Sequence, residues 1–204
     1  MEKIIMIGAG GHSKSVADSL DRNKYELVGF IDENKEGYHL GKPIIGKKIE
    51  DISDCKNYKY FVAIGDVDHR RYWYNMIVEK GLKLINIIDK TAIVAKSAII
   101  GTGNFIGKLA ILNADSTIGD NNIINTKALI EHECRIGNHT HISTNATLNG
   151  NIVVEDNVFM GSTAVCNGQL RIGEHAIIGS GSVVINNVEP NCTVVGCPAG
   201  KIRG

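Results

Sequence analysis

One histidine of the chain stands between two carboxylates, in the segment Ile130-Glu131-His132-Glu133-Cys134. A carboxylate that hydrogen-bonds one imidazole nitrogen fixes the tautomer of the ring and raises the basicity of the other nitrogen. Such an imidazole can take the proton from an amine or hydroxyl group that attacks an electrophile. Because an isolated histidine is more often a solvated surface residue, this prediction depends on where the fold places His132.

A second candidate site lies near the N-terminus, where the apolar run from Lys3 to Ile7 ends in Gly8-Ala9-Gly10-Gly11-His12-Ser13 and residues with helical spacing follow. This pattern predicts a strand, a glycine turn and a helix, whose N-terminal N–H groups can face a phosphate. Two further apolar runs, Tyr25 to Ile31 and Tyr60 to Ile64, predict neighbouring strands of a small Rossmann-like unit. Ligands of such sheets sit at the carboxyl ends of the strands, where Gly10, Gly11, Asp32 and Gly65 fall. His12 follows the glycine turn and could meet the phosphates or the sugar of a substrate, or simply cap its helix.

The glycine turn of this unit has three possible interpretations: binding of a dinucleotide, binding of a nucleotide sugar, or a purely structural role. The dinucleotide fingerprint has a third glycine where this chain has Ser13, and a complete dinucleotide fold needs more strands than these residues supply. A nucleotide sugar, with its diphosphate on the glycine turn and its nucleoside near Asp32, fits the smaller unit better than NAD. The remaining alternative is a turn that only joins a strand to a helix.

The elements that must position His132 belong to a repeat of six residues, which runs from Ile88 to Glu189 seventeen times without an insertion. The first residue of every repeat is apolar, and the fifth is small or aliphatic and never charged. Such a period is the signature of a parallel β-helix, whose coils stack about 4.8 Å apart. Three repeats would make one triangular coil. The position after the apolar one often holds glycine or asparagine, which we expect at tight or left-handed corners.

The register of the repeat predicts which side chains face outward. Ile130 and Cys134 fall on the two inward columns, so His132 projects from the wall, and Cys134 is expected to be a buried thiol instead of a nucleophile. His139 and His141 also point outward and could suggest a metal pair. Because no third ligand has a suitable spacing, we expect no metal.

Composition limits the remaining possibilities. The chain has 204 residues, enough for two modest domains, which we place at residues 1–83 and 88–204, the latter including a C-terminal tail. Its 22 basic and 22 acidic residues cancel, so net charge does not indicate nucleic acid or an anionic membrane as partner. The five cysteines are odd in number, without a CxxC pair, and read as reduced thiols. No apolar stretch approaches the roughly 20 residues of a membrane span, and no signal peptide is evident, which predicts a cytoplasmic protein.

The repeat, the glycine turn, the histidine motif and the segment Val194-Val195-Gly196-Cys197-Pro198-Ala199 together resemble bacterial sugar acetyltransferases of the left-handed β-helix family. The resemblance is to UDP-4-amino-sugar N-acetyltransferases of glycan biosynthesis and to sialic acid O-acetyltransferases, and it spans nearly the whole chain. It implies a homotrimer in which acetyl-CoA lies between adjacent prisms and the N-terminal domain holds a nucleotide sugar. One departure is Ala199-Gly200-Lys201, where relatives often place the basic residue directly after Pro-Ala.

The resemblance also assigns roles to individual residues. It implies that His132 is the proton acceptor and that Glu133 raises its basicity. It implies that the acetyl-CoA-binding residues are His141, Ser162, Gly179 and Ser180. It also implies that the substrate-binding residues are Gly10, Gly11, His12, Asp32, Glu33 and Gly65.

The expected reaction is therefore direct acetyl transfer to the amine of a nucleotide-linked sugar of the UDP-4-amino-4,6-dideoxy type, without an acyl-enzyme. O-acetylation of a sialic acid or another hydroxyl sugar is the alternative within the same class, and a non-catalytic module that binds sugar nucleotides is the alternative outside it. Trimerisation has a further rationale in apolar residues that we expect to face outward, namely Leu129, Leu148, Phe159 and Val165.

Overall fold

The first part of the chain forms a parallel sheet with one helix on each side, in a computed structural model that describes all 204 residues. Its elements are β1 (Glu2–Ile7), α1 (Gly11–Asp18), β2 (Tyr25–Ile31), β3 (Tyr38–His39), β4 (Lys42–Gly46), two 3-10 turns (Ile49–Asp51 and Cys55–Asn57), β5 (Lys59–Val62), α2 (Val67–Glu79) and β6 (Lys83–Leu84). The strand order is β3-β4-β2-β1-β5-β6, and only the β3–β4 pair is antiparallel. The three predicted strands and the helix predicted after the glycine turn are present.

The central strand β1 explains why this sheet forms. Its residues Ile4, Ile5, Met6 and Ile7 are all buried, as expected of a strand covered on both faces. Ile4 and Met6 pack toward α1, whereas Ile5 and Ile7 pack toward α2. Strands β3, β4 and β6 lie at the two edges and were not predicted, because they are short and only partly buried.

The second part of the chain winds into a triangular parallel β-helix, and we number its faces in chain order. Its strands are two residues long until the last two: β7 (Ile87–Ile88), β8 (Ile93–Val94), β9 (Ile99–Ile100), β10 (Phe105–Ile106), β11 (Ile111–Leu112), β12 (Thr117–Ile118), β13 (Ile123–Ile124), β14 (Leu129–Ile130), β15 (Arg135–Ile136), β16 (His141–Ile142), β17 (Thr147–Leu148), β18 (Val153–Val154), β19 (Phe159–Met160), β20 (Val165–Cys166), β21 (Arg171–Ile172), β22 (Ile177–Ile178), β23 (Val183–Val184), β24 (Thr193–Val195) and β25 (Gly200–Arg203). Face 1 contains β7, β10, β13, β16, β19, β22, β24 and β25; face 2 contains β8, β11, β14, β17, β20 and β23; face 3 contains β9, β12, β15, β18 and β21. Each corner is named by the two faces it joins.

The prediction of two inward columns is confirmed. A continuous core runs along the prism axis and is built from the apolar first and small fifth positions of the repeats, including Ile130, Cys134 and Ala146. The polar members of the fifth column form a ladder instead. Asn104 donates to the Gly119 carbonyl at 2.8 Å, and Asn122 N–H donates to Asn104 Oδ1 at 2.8 Å, so these buried amides are hydrogen-bonded from coil to coil.

The expectation of left-handed glycine corners is wrong in one respect. Left-handed backbone occurs three positions after the apolar residue, mostly at non-glycine residues with φ of 55–63°, among them Asn121, Glu133, His139 and Asn151. Asparagine, aspartate and histidine tolerate this region best, and the stack of coils holds them there. The glycines directly after the apolar residue have another cause. A Cβ at Gly161 would lie 2.5 Å from the Ser180 nitrogen, so the next coil passes too close for any side chain.

Face 2 carries outward apolar residues along most of its length. Ile111, Leu129, Val165 and Val183 line its outer surface and are partly exposed, and Ile93 at its end is 61% exposed. Leu148, which we expected to face outward, is instead fully buried, because it falls on the first column of the repeat. No helix is long and apolar enough to cross a membrane.

The N-terminal unit packs on face 1 and on corner 3–1. Helix α1 contacts Phe105 and Ile123, the outward residues of two face 1 strands. Helix α2 is anchored by Arg70, which is 1% exposed and donates to the carbonyls of Gly65 in its own unit and of Asn121 and His139 on the prism. A buried guanidinium with several acceptors ties the two units together.

Candidate functional site

A pocket of about 190 Å³ opens at the carboxyl ends of β1, β2 and β5, where the glycine turn meets α1. Gly10 caps α1 in an extended conformation, and no side chain accepts the first N–H groups of the helix. Gly8 has φ of +95°, and a Cβ there would lie 2.7 Å from the Ile64 side chain. The turn therefore presents unpaired backbone donors, which suit a phosphate group.

Asp32 lines this pocket, but its carboxylate is occupied. Oδ2 accepts the Ala9 N–H at 2.7 Å, and Oδ1 accepts the backbone N–H groups of Asn34 and Lys35 at 3.0 Å. Asp32 therefore shapes the end of β2 and braces the glycine turn. The Lys35 ammonium donates to the Ala9 carbonyl at 2.6 Å, which brings a cation to the turn that the sequence pattern did not identify.

Glu33 contacts His69, which in turn contacts Trp73, and the sequence analysis identified neither of these two residues. His69 Nε2 lies 2.7 Å from Glu33 Oε2 and 3.1 Å from Trp73 Nε1. Trp73 is buried, whereas the Glu33 side chain is 43% exposed. The signal that could have found them is present, since His69 and Trp73 are four residues apart on the first turns of the helix after Gly65.

His12 and His141 lie at the junction of the two units, close to Arg70. The pKa of His12 is lowered to about 4 and that of His141 to about 3. Burial is the larger cause in both cases, and the positive charge of Arg70 is the next. Both rings are therefore neutral near pH 7 and act as hydrogen-bonding groups. His12 Nε2 is buried without a partner, and His141 Nε2 lies 3.4 Å from the Asn125 amide. His141 does face outward from the prism, but the N-terminal unit covers it.

His132 projects from corner 2–3, with its side chain 58% exposed. Its Nδ1 lies 3.1 Å from Glu133 Oε2, and the left-handed backbone of Glu133 turns that carboxylate toward the ring. Nε2 has no partner in the chain and is open to a reacting group. Cys134, the next inward residue, is fully buried, and burial raises the pKa of its thiol, so it is not a nucleophile.

Gly150 lies one coil beyond His132 on the same corner and contacts its ring. The three atoms nearest to a Cβ built on Gly150 all belong to the imidazole, with Nε2 at 2.5 Å and Cε1 at 2.6 Å. Any side chain at this position would occupy the space that the ring now fills. The imidazole therefore rests against bare backbone, at a place that no side chain could occupy without moving the ring.

The residues predicted to bind acetyl-CoA lie elsewhere on the prism. Ser162, Gly179 and Ser180 are on corner 1–2, across face 2 from His132, and His141 is on face 1. Within one chain the structure thus separates the predicted site residues into three groups: the glycine pocket and His141 at face 1, the other residues predicted to bind acetyl-CoA at corner 1–2, and His132 at corner 2–3.

A larger cavity of about 720 Å³ runs along α1 toward corner 1–2, and its lining includes Lys14, Tyr25, Phe105, Lys108 and Thr126. It contains none of the predicted site residues. Lys108 is occupied there by ion pairs with Asp18 and Asp89. The residues predicted to bind substrate line the smaller pocket, whose turn and histidine have unpaired polar groups. No cluster of three or more histidine, cysteine or acidic side chains in the chain could hold a metal ion.

Comparison with known proteins supports both halves of this description. The family model of the PglD N-terminal domain matches residues 3–77, and that of the bacterial transferase hexapeptide with six repeats matches residues 115–150. A curated protein, uncharacterized protein L142 of Acanthamoeba polyphaga mimivirus, is 36% identical over 109 residues, which is 50% of this chain and 20% of that protein. The chain therefore spans about one fifth of the length of that relative.

Solved structures match over the whole chain. The acetyltransferase domain of PglB from Neisseria gonorrhoeae is 31% identical, with 99% of this chain and 100% of that one covered and a TM-score of 0.94. PerB from Caulobacter crescentus, solved with CoA and GDP-perosamine, is 31% identical, with coverages of 98% and 97% and a TM-score of 0.90. WeeI from Acinetobacter baumannii is 26% identical, with coverages of 99% and 100% and a TM-score of 0.87.

A left-handed hexapeptide β-helix behind a PglD-type domain defines a class of acyltransferases. At 31% identity over nearly the full length of both chains, this chain belongs to the hexapeptide-repeat sugar N-acetyltransferase family that includes the PglB domain and PerB.

Proposed function

We propose that the protein transfers the acetyl group of acetyl-CoA to the amine of a nucleotide-linked amino sugar, of the 4-amino-4,6-dideoxy type, in bacterial glycan biosynthesis. The observation that carries this proposal is the His132–Glu133 pair on a hexapeptide prism, with Nδ1 engaged by a carboxylate and Nε2 open. The PglB domain has also been solved with acetyl coenzyme A, and PerB is a GDP-perosamine N-acetyltransferase, which supports the same chemistry here.

In this mechanism His132 Nε2 takes the proton from the sugar amine as the nitrogen attacks the thioester carbonyl. The C–N bond forms, the C–S bond breaks, and the proton passes to the departing CoA thiolate. Glu133 holds the tautomer with Nδ1–H and stabilises the imidazolium that forms. Direct transfer needs no acyl-enzyme, in agreement with the burial of Cys134.

The glycine pocket would hold the nucleotide sugar. The free N–H groups of α1 and the Lys35 ammonium suit a diphosphate, since charge and helix dipole both favour an anion there. The unpartnered His12 Nε2 is a buried atom that a sugar hydroxyl could satisfy, which supports its assignment as a substrate-binding residue. The proposed site also includes Gly10, Gly11, Glu33 and Gly65. Asp32 braces its glycine turn by accepting the Ala9 N–H.

The separation of base and cosubstrate residues supports a homotrimer. A threefold axis parallel to the prism would bring corner 2–3 of one copy to corner 1–2 of the next without a shift in height. His132 and Thr126 belong to the same coil, so the base of one copy would meet corner 1–2 of its neighbour one coil from His141 and two coils from Ser162. The apolar outer surface of face 2 lies between these corners and would be covered by such a contact.

The test is thiol release from acetyl-CoA with a panel of amino and hydroxyl sugar nucleotides. His132→Ala should lower turnover by about 10²–10⁴-fold, the usual contribution of a general base. His175→Ala is a matched control, because His175 also neighbours a glutamate, with Nε2 3.5 Å from Glu174 Oε1, but lies on corner 3–1. Wild-type turnover in His132→Ala, or equal losses in both variants, would remove His132 as the base.

The same experiment separates the alternatives. Thiol release with hydroxyl sugars alone would indicate O-acetylation. Binding of nucleotide sugars without any affinity for acetyl-CoA would indicate a non-catalytic module. We further propose a cytoplasmic location, in keeping with five free cysteines, of which three are buried in the prism.

A further inference from the structure

Face 2 is bordered by charged residues in only one coil. In every coil the last exposed residue of corner 1–2 comes before this face, and the first residue of corner 2–3 comes directly after it. In the coil that carries His132, these two residues are Lys127 and Glu131. In the other coils both residues are uncharged, and so are the outward residues of face 2 itself. The coils directly before and after have, at these positions, Leu109, Asn113, Asn145 and Asn149.

Neither of these two charges has an ion-pair partner within the chain. Lys127 and Glu131 lie at opposite edges of face 2, about 13 Å apart along an extended segment, which is too far for them to pair with each other. Lys127 is exposed, and its backbone N–H donates to the Lys108 carbonyl at 2.8 Å. The Glu131 carboxylate accepts the neighbouring His132 N–H at 3.3 Å. Each copy therefore presents one cation and one anion at the same height, on the two edges of one face.

We infer that Lys127 of one copy forms an ion pair with Glu131 of the next copy around the threefold axis. This inference rests on the proposed function, in which corner 1–2 of each copy meets corner 2–3 of its neighbour at the same height. Both residues lie on the side of their corner that borders face 2, the face that such a contact covers. A second copy of the chain thus brings the complementary charge to each of them, and a closed ring contains three such pairs.

The pair matters for the reaction because the rest of the contact surface repeats from coil to coil. A slip of one coil, about 4.8 Å, would join similar uncharged surfaces and give an open assembly instead of a closed ring. It would place Lys127 opposite Asn113 or Asn149 and leave both charges without a partner. The pair therefore favours the level contact, which is the one that brings His132 to corner 1–2 of the next copy. Lys127 and Glu131 are positioning residues, since they act on the reaction through the placement of His132.

Carbodiimide coupling of the wild-type protein tests this contact directly, because the reagent joins an amine to a carboxylate only where the two groups touch. We expect covalent dimers and trimers on a denaturing gel, and two peptides linked through Lys127 and Glu131 in the mass spectrum. Lys127→Arg is the control, because a guanidinium is not coupled; it should sediment as a trimer, keep its turnover and lose this link. A link from Lys127 to Asp115 or Glu133 instead, or no link between copies of a trimeric sample, overturns the inference.

Charge reversal tests whether the pair holds the copies together. Lys127→Glu should raise the protein concentration at which the trimer dissociates by about tenfold or more, because it opposes two like charges in the contact. Its turnover should recover as the protein concentration is raised, which a folding defect would not show. Adding Glu131→Lys restores opposite charges and should return the dissociation to within about threefold of wild type. Arg135→Glu is the matched control, since it reverses an exposed charge of the same coil on face 3 and should leave the trimer intact.

The inference is overturned if Lys127→Glu dissociates no more readily than Arg135→Glu, or if the added Glu131→Lys does not restore the trimer. With a wild-type protein that is trimeric and active, either result leaves the proposed function standing and the inference fails alone. An active wild-type monomer would remove the shared site of the proposed function as well.

Discussion

Gly150→Ala should abolish most of the activity while leaving the fold intact. Its Cβ would lie 2.5 Å from His132 Nε2, whereas ordinary contacts are 3.4–4 Å, so the imidazole must move by about 1 Å. A displacement of about 1 Å of a reacting group costs roughly 10²-fold in rate. Because the atoms in the way belong to a half-exposed, flexible ring and Gly150 has no left-handed φ, the substitution should be neutral or stabilise by about 0.4–1 kcal/mol.

The assay is thiol release under saturating substrates, combined with thermal unfolding. We expect kcat to fall by about 10²-fold with KM for the nucleotide sugar unchanged, because the pocket for that substrate is on another face. Gly150→Ala in the His132→Ala background is the control, and it should cause no further loss, since the ring it displaces is absent. Wild-type kcat in Gly150→Ala, or a fall of equal factor in the double variant, would refute this reasoning.

Three further predictions follow from named contacts. Arg70→Met should destabilise the protein by about 3 kcal/mol in denaturant unfolding, because it leaves buried carbonyls of both units unpaired; a loss below about 1 kcal/mol would contradict its role as anchor. Burial lowers the pKa of His12 to about 4 and of His141 to about 3, so the unfolded chain binds more protons and stability should fall as pH drops from about 6.5 toward 3. His141→Asn should flatten that decline, and an unchanged pH dependence of Tm would contradict it. Sedimentation should show a trimer, and refolding a mixture of His132→Ala with Gly11→Trp subunits should restore activity if base and pocket come from different copies; a monomer with full activity would contradict the shared site.

The sequence was sufficient to predict the prism because its apolar and small residues recur every six positions. A slip of one residue would turn every inward side chain outward, so the apolar column defines which residues face the core. That register correctly placed Cys134 inside and His132 outside. The same register places Leu148 on the inward column with Ile130, and both residues are buried.

The parts that sequence did not predict depend on contacts between distant segments. Nothing in the repeat indicates that the N-terminal unit covers face 1, so the burial of His141 and its low pKa were not predicted. The contact of Gly150 with His132 requires knowledge that these residues are one coil apart on the same corner. The glycine turn was predicted correctly, but the contact between Glu33 at the end of β2 and His69 on α2 depends on how the sheet and helix pack. The residues assigned to substrate and to acetyl-CoA remain predictions.

The most direct test of the proposed function is to identify the atom that receives the acetyl group. Acetyl-CoA labelled with ¹³C in the acetyl group would be incubated with nucleotide-linked amino sugars and the wild-type protein, and the product examined by NMR and mass spectrometry. We predict one amide per sugar, one released CoA thiol for each amide, and an amide that His132→Ala forms about 10²–10⁴-fold more slowly. An acetyl ester on a sugar hydroxyl, or label retained in acetyl-CoA with every amino sugar tested, would contradict the account.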